Sequence, residues 1–386
     1  MSEFRTIREL CSVVVDCPHS TPKWTANGKI VIRNKNIKHG KIDFSSPSYT
    51  DDEHFAQRIK RAKPQPGDII ITREAPIGDV GMIPENTECC LGQRMVLLRA
   101  NQSVCDNFYL LYSLQSLYVQ HQISWSEGTG TTVSNLRIPH LEQIQIPYLP
   151  LEQQAKISSV LRALEEKIEN NRRLNDNLQQ QAAALFSSLY DRSNTEVRFT
   201  DLIQILGGGT PKTGENTYWN GKIAFFTPKD VGTPYTLITE KTISKEGLSH
   251  CNSRLYPVNT VFVTARGTVG KVGMSGVPMA MNQSCYALVG KETHQLLVYF
   301  YTLKAVDRLK HKASGAVFDA ITTRDFESEQ IMKLSDDDAT AFLRVAEPMF
   351  QEVLNNNIEN LRLSTLRDSL LPKLMSGEID VSAVQL

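Results

Sequence analysis

The chain has no run of 18 apolar residues, so nothing in it reads as a membrane-spanning helix. Its opening stretch, MSEFRTIREL, is polar and charged and lacks the apolar centre of a secretory signal. Cysteine is scarce and odd in number, 7 in all: Cys11, Cys17, Cys89, Cys90, Cys105, Cys251 and Cys285. A scattered odd set makes no disulfide framework and points to a reducing cytoplasm. An excess of one charge is also missing. The 42 basic and 42 acidic residues give a net charge of +0, which excludes a histone-like polycation and leaves room for a basic face. Catalytic signatures are lacking as well: no G-x-S-x-G, no H-E-x-x-H and no dinucleotide glycine motif after a strand. The chain reads as a binding protein and not as an enzyme.

Two partial motifs fail on chemistry. Gly207-Gly208-Gly209-Thr210-Pro211-Lys212-Thr213 resembles a phosphate loop, but Pro211 has no N–H to offer where glycine is needed, and no helix is readable directly after it. Cys11, Cys17 and His19 match no common zinc spacing, and no metal is expected. What is present is enough apolar material, 41% of 386 residues, for two or more cored domains.

The chain is written twice. Thr21-Pro22-Lys23 answers Thr210-Pro211-Lys212, Asn27-Gly28-Lys29-Ile30 answers Asn220-Gly221-Lys222-Ile223, and Gly92-Gln93 answers Asn282-Gln283. PGDIIITREAPIGDVGM from Pro66 answers PVNTVFVTARGTVGKVGM from Pro257. Leu136/Ile321, Leu141/Phe326 and Ile146/Ile331 are all 185 apart, and that spacing holds to Leu189/Leu374. Each repeat begins with a globular part of mixed α and β. Strands are expected at Asp68–Thr72, Val80–Ile83 and Met95–Arg99, then at Ile223–Thr227, Thr260–Thr264 and Cys285–Val289. Helices are expected around Asp106–Ile123 and Thr293–Lys312.

A long helix closes each repeat. Ile157, Leu161, Leu164, Ile168, Asn171, Asn175, Leu178, Ala182, Leu185 and Leu189 are spaced 4, 3, 4, 3 without a break, which is a coiled-coil seam. Shifted by 185, the seam becomes Phe342, Ala346, Met349, Val353, Asn356, Asn360, Leu363, Arg367, Leu370 and Leu374. A helix of about 39 residues spans about 58 Å and needs a partner in water, and each is the obvious partner of the other. An antiparallel pair centred on residues 173 and 358 brings Asn171 to Asn360 and Asn175 to Asn356. Polar pairs in such a seam cost stability and fix register, the role expected of these four asparagines. Pro348 is expected to kink the second helix or to mark its start.

A duplicated, two-ended, non-catalytic protein suits duplex DNA, whose strands are related by local twofold axes. Between Ser20 and Arg73 stand 11 basic residues against 5 acidic, a local +6 able to line a phosphate track.

At the first junction the run Ile146-Pro147-Tyr148-Leu149-Pro150-Leu151-Glu152-Gln153-Gln154 resembles the central signature of type I restriction–modification specificity subunits. Leu371-Pro372-Lys373-Leu374-Met375-Ser376-Gly377-Glu378-Ile379-Asp380 resembles their C-terminal signature. Thr210-Pro211-Lys212, Trp219-Asn220-Gly221-Lys222-Ile223 and Arg266-Gly267-Thr268-Val269-Gly270-Lys271 are similar to their target-recognition domains. Met332–Asp338 departs from the pattern, lacking the Pro and Glu-Gln of the first junction.

The resemblance implies an α+β protein with an internal pseudo-twofold repeat. Residues 1–150 and 193–337 become target-recognition domains, 151–192 a central spacer helix and 338–386 a C-terminal spacer helix and tail. Each recognition domain would read half of a bipartite duplex DNA target while the antiparallel helices set the gap. Implied partners are two methyltransferase subunits, which carry S-adenosylmethionine, and two translocase subunits, which use ATP and Mg. Features shared by the halves suit phosphate positioning: Lys23 and Lys212, and the loops Arg73–Gly78 and Arg266–Gly270 with Lys271. Gln93 and Gln283 read as structural amides. Features that differ suit base readout: Arg33-Asn34-Lys35 against Phe226-Thr227-Pro228, and Arg94 against Ser284. Lys229 is a further DNA-binding candidate. The rival readings are a coiled-coil scaffold bridging two protein partners and an enzyme with an unrecognised site.

Overall fold

The run Ile69-Ile70-Ile71 is too apolar for a half-exposed strand, and in the computed structural model of the chain all three residues are fully buried. The structure describes residues 3–38, 40–125, 135–232, 234–312 and 320–384. It divides into two units, one comprising Met1–Glu166 with Leu363–Leu386, the other Lys167–Arg362.

In the first unit Ile69–Thr72 lies inside a four-stranded antiparallel sheet with Cys11–Asp16, Met95–Ala100 and Val80–Met82. A second sheet places Lys29–Ile32 parallel to Cys89–Leu91 and antiparallel to Ser48–Thr50. The edge strand Glu3–Thr6 pairs with Gln145–Tyr148. Helices Asn107–Gln115 and Leu117–Trp125 cover the first sheet with Tyr109, Leu110, Tyr112 and Val119. The single helix expected over Asp106–Ile123 is thus two, because Ser116 leaves the helical conformation with ψ 146°.

The second unit repeats this plan. Ile203–Gly207, Cys285–Gly290, Val261–Thr264, Val272–Ser275 and Tyr235–Thr236 form one sheet. Lys241–Ile243, Trp219–Phe226 and Met279–Met281 form the other, and Thr195–Arg198 pairs with Gln330–Lys333. One helix, Gln295–Lys312, covers the large sheet.

Two long helices, Leu151–Arg192 (the central helix) and Asp336–Met375 (the C-terminal helix), contribute to both units. Every seam position expected from the 4, 3 spacing is buried or half-buried. In the second unit Asn171 meets Asn360 and Asn175 meets Asn356, so the helices run antiparallel there. In the first unit Lys156 reaches the carbonyl of Ser382 and Glu165 pairs with Arg367, the same antiparallel sense. Phe186 of the central helix stacks on Phe300 at 4.9 Å and meets Phe342 of the C-terminal helix edge-on at 5.4 Å.

Pro348 is neither a start nor an end. The C-terminal helix begins 12 residues earlier, at Asp336, and continues through it. Proline removes one backbone hydrogen bond, but Phe342, Ala346, Phe350 and Val353 on the adjacent turns are buried in the second unit's core and outweigh that loss.

Candidate nucleic-acid interface

The site in the first unit is built where two strands end together. Gly92 N–H donates to the carbonyl of Ile32 at 2.7 Å, so the segments after Lys29–Ile32 and Cys89–Leu91 leave their sheet side by side. They deliver Arg33, Asn34 and Lys35 from one side, and Gln93 and Arg94 from the other, to a cavity of about 360 Å³. Trp24 completes the wall, and the Arg33 guanidinium lies 4.9 Å from its ring centroid. Four sequence-predicted residues are thereby brought together: Arg33, Asn34, Lys35 and Arg94.

Beneath this rim the framework is hydrogen-bonded. Arg58 is buried, and among the described residues no carboxylate pairs with it. Its Nε donates to Leu91 O at 2.7 Å, Nη1 to Ser20 O at 2.9 Å, and Nη2 to Gly92 O at 2.9 Å and Pro18 O at 3.2 Å. One side chain therefore ties the segment leading to Trp24 to the segment leading to Arg94. Gln93 Nε2 donates to His19 O and to Thr21 Oγ1. Asn34 Nδ2 donates to Glu74 O at 2.6 Å, and Arg94 Nε meets Glu74 Oε2 at 3.1 Å.

The second unit reproduces the framework and changes the rim. Asn282 N–H donates to Phe226 O at 2.9 Å, the counterpart of Gly92 and Ile32. Thr210 Oγ1 donates to Gln283, the counterpart of Thr21 and Gln93. Gly208 is needed here, since a Cβ on it would meet Asn282 O at 2.2 Å. The glycine-rich run thus packs backbone on backbone.

Backbone pairing corrects two sequence alignments. Arg33 corresponds to Thr227, Asn34 to Pro228 and Lys35 to Lys229, one residue later than the sequence comparison set them. Arg94 O accepts from Arg73 N and Ser284 O accepts from Ala265 N, so Arg73 corresponds to Ala265, and Glu74 to Arg266. Arg73 and Arg266 are not equivalent. Arg73 is a framework residue: its Nη1 donates to both oxygens of Asp16 at 2.9 Å, its Nε donates to Leu136 O, and its side chain is 11% exposed. Asp16 corresponds to Gly207, so the second unit has lost both members of that pair together.

The remaining predicted residues lie on the surface of their own units. Lys23 pairs with Asp51 at 3.5 Å and Lys229 with Glu240 at 3.6 Å. Lys212, Arg266 and Lys271 are exposed. Sequence reasoning missed Trp24, Arg58 and Glu74. The signal for Arg58 was an arginine at the end of an amphipathic helix, which reads as surface until the four carbonyls are placed around it. A larger cavity in the second unit, about 640 Å³ and lined by Lys291, His294 and Lys333 among others, holds none of the predicted residues.

Burial pushes the Cys89, Cys90 and Cys285 thiols up to about 12, 11 and 12, so they behave as core residues. Among the described residues no helix is long and apolar enough to cross a membrane.

Comparison with known proteins also returns a duplicated chain. The family model for the type I restriction modification DNA specificity domain matches residues 3–180 and again 192–333. The chain belongs to the type I restriction–modification DNA specificity family. Within that family, it is 23% identical to the type I restriction enzyme MjaIX specificity subunit of Methanocaldococcus jannaschii over 82% of this chain and 78% of that one. A second relative, the type I restriction enzyme HindI specificity subunit of Haemophilus influenzae, is 28% identical over 47% of this chain and 40% of its own length. The fold is shared with the crystal structure of the type I restriction–modification S subunit from M. genitalium, with a TM-score of 0.60, 17% identity, and coverage of 96% of this chain and 95% of that one.

Proposed function

We propose that the chain is the DNA sequence-specificity subunit of a type I restriction–modification complex. Each globular part reads one half of a bipartite duplex target, and the paired helices set the gap and dock two methyltransferase subunits. The observation that carries this reading is the constancy of the framework against the change of the rim. Thr21–Gln93 and Thr210–Gln283 are retained, while Arg33/Thr227, Glu74/Arg266 and Arg94/Ser284 differ. Two copies of one scaffold with different polar groups at one edge suit two different sets of base edges on a common phosphate track.

On this reading residues 1–150 and 193–337 are the recognition domains, and 151–192 and 338–386 supply the spacer. Lys23, Lys212 and Lys271 face phosphates, as do Lys35 and Lys229, which occupy equivalent positions in the two units, and Arg33, Asn34, Arg94 and Arg266 face bases. Arg73 supports them through Asp16 and touches no DNA. Asn171, Asn175, Asn356 and Asn360 hold the helix register. The chain itself is non-catalytic and cytoplasmic. S-adenosylmethionine belongs to the methyltransferase subunits, and ATP with Mg to two translocase subunits.

The test is to express the full chain with its methyltransferase partner and map methylated adenines across a genome. A motif of two specified halves around a fixed unspecified gap is expected. A single uninterrupted motif, or methyl transfer by this chain alone, overturns the reading.

A further inference from the structure

We propose that the cavity of the first unit is a guanine reader, in which Arg94 presents its terminal amino groups to O6 and N7 of the base and Glu74 is the positioning residue that aims it. The proposal rests on the specificity-subunit reading and goes beyond it by naming a base and the residue that prepares its reader.

Glu74 is held before any ligand arrives. Its side chain is 20% exposed, and its Oε1 accepts from Asn135 Nδ2 at 2.6 Å. Its backbone carbonyl accepts from Asn34 Nδ2 at 2.6 Å. Its other oxygen, Oε2, engages Arg94 Nε at 3.1 Å. Arg94 is fixed at both ends: its backbone sits at φ 65°, its carbonyl accepts from Arg73 N at 2.8 Å, and its Nε is taken by Glu74. The Arg94 side chain is 56% exposed at the cavity edge and meets Glu74 through Nε, and a guanidinium carries two further amino groups, each a donor.

Guanine offers two acceptors side by side in the major groove, N7 and O6, which match two parallel N–H donors. Adenine puts an amino donor where O6 would be, so it meets the guanidinium donor against donor. Holding the arginine by Nε removes rotamer freedom in advance, so less is lost on binding. The second unit has Ser284 in place of Arg94 and Arg266 in place of Glu74. The device is absent there as a pair, and the two half-sites should differ accordingly.

The experiment uses the full chain with its methyltransferase partner and reads methylated adenines genome-wide for the unmodified protein and four variants: Arg94→Ala, Arg94→Lys, Glu74→Gln and the exchange Glu74→Arg with Arg94→Glu. One half of the motif should contain a required guanine. Arg94→Ala should relax that base by roughly 10–100-fold, the discrimination expected of a two-pronged arginine contact, and leave the other half unchanged. Arg94→Lys should relax the same base, since an ammonium lacks the fork. Glu74→Gln should relax it less. The exchange restores the ion pair and not the reader, so it should remain relaxed. Recovery of selectivity by the exchange, relaxation at a base other than guanine, or equal loss at every site in all variants overturns the proposal. A bipartite motif with no relaxable guanine overturns this inference alone. Absence of any bipartite motif overturns the specificity-subunit reading with it.

Discussion

Asn171 of the central helix donates its side-chain amide to Oδ1 of Asn360 at 3.0 Å, and one turn along, Asn356 donates to Asn175 at 2.9 Å. Asn175 also donates to Asn357 at 2.9 Å, and Asn171 to Glu359 at 2.7 Å, so this polar layer in the second unit is satisfied from both sides.

Breaking the layer on one side strands the other. Asn175→Leu leaves Asn356 without its acceptor and should cost about 1–3 kcal/mol. Asn175→Leu combined with Asn356→Leu should recover that loss or exceed the original stability, because two apolar seam residues replace a polar pair. Urea unfolding of the two variants measures this. If the layer fixes register, the stabilised double variant should direct its methyltransferase partner to motifs with more than one gap length. A single unchanged gap would refute the register role.

The Asp16–Arg73 pair predicts non-additivity. Arg73→Ala leaves a largely buried carboxylate and should cost about 3 kcal/mol. Adding Asp16→Gly reproduces the combination present in the second unit, Gly207 with Ala265, and should restore part of the loss despite the flexibility of glycine. A double variant less stable than Arg73→Ala by denaturant titration would show that the two positions do not depend on one another.

Arg58 should tolerate no replacement. Arg58→Met abandons four carbonyl contacts around one buried site and should cost about 3 kcal/mol or more. Arg58→Lys should remain well below the original stability, since a single ammonium cannot span the fork. The same variants should alter the fluorescence of Trp24, read against a Trp24→Phe background, before global unfolding begins. Unaltered Trp24 emission would mean that Arg58 does not hold the cavity wall.

Glu88 predicts an acid dependence. Lys29 at 2.5 Å and Lys63 at 3.0 Å, both donating to it, hold its carboxyl down to about 2. A carboxylate depressed on folding stabilises the folded state fully above its ordinary value of about 4.5, and the contribution is lost as pH falls from there through about 2. Glu88→Gln should therefore lower the thermal midpoint at pH 6, and the gap from the original protein should close by pH 2. The group is exposed, so the effect should also shrink in high salt. A gap of the same size at both pH values counts against the ion-pair account.

The duplicated plan and the helical seam were legible because both depend on spacing. Thr-Pro-Lys, Asn-Gly-Lys-Ile and a 4, 3 run keep their periods whatever surrounds them. The encounter of Asn171 with Asn360 followed from the same arithmetic once the helices were taken as antiparallel. What sequence could not supply was the backbone register between segments far apart in the chain. Arg73 and Arg266 look alike in a one-line comparison. Only the hydrogen bonds to Arg94 and Ser284 reveal that they occupy different positions. Glu74 and Trp24 were passed over for a related reason: a carboxylate in a loop and an aromatic beside a lysine acquire meaning only from a partner 20 residues and 9 residues away, Arg94 and Arg33. At Pro348 the helix start that a local rule allows gives way to a helix running from Asp336, with core residues packed on either side of the proline.

The joint disappearance of Asp16 and Arg73 in the second copy bears on how such proteins can be recombined. A hybrid whose crossover separates Cys11–Asp16 from the segment that carries Arg73 inherits either a carboxylate without its guanidinium or a guanidinium without its carboxylate. Exchange of whole lobes avoids that penalty. New DNA specificities in this lineage should therefore be traded as intact cassettes, with point changes confined to side chains such as Arg33 and Arg94 that lean on the scaffold without bracing it.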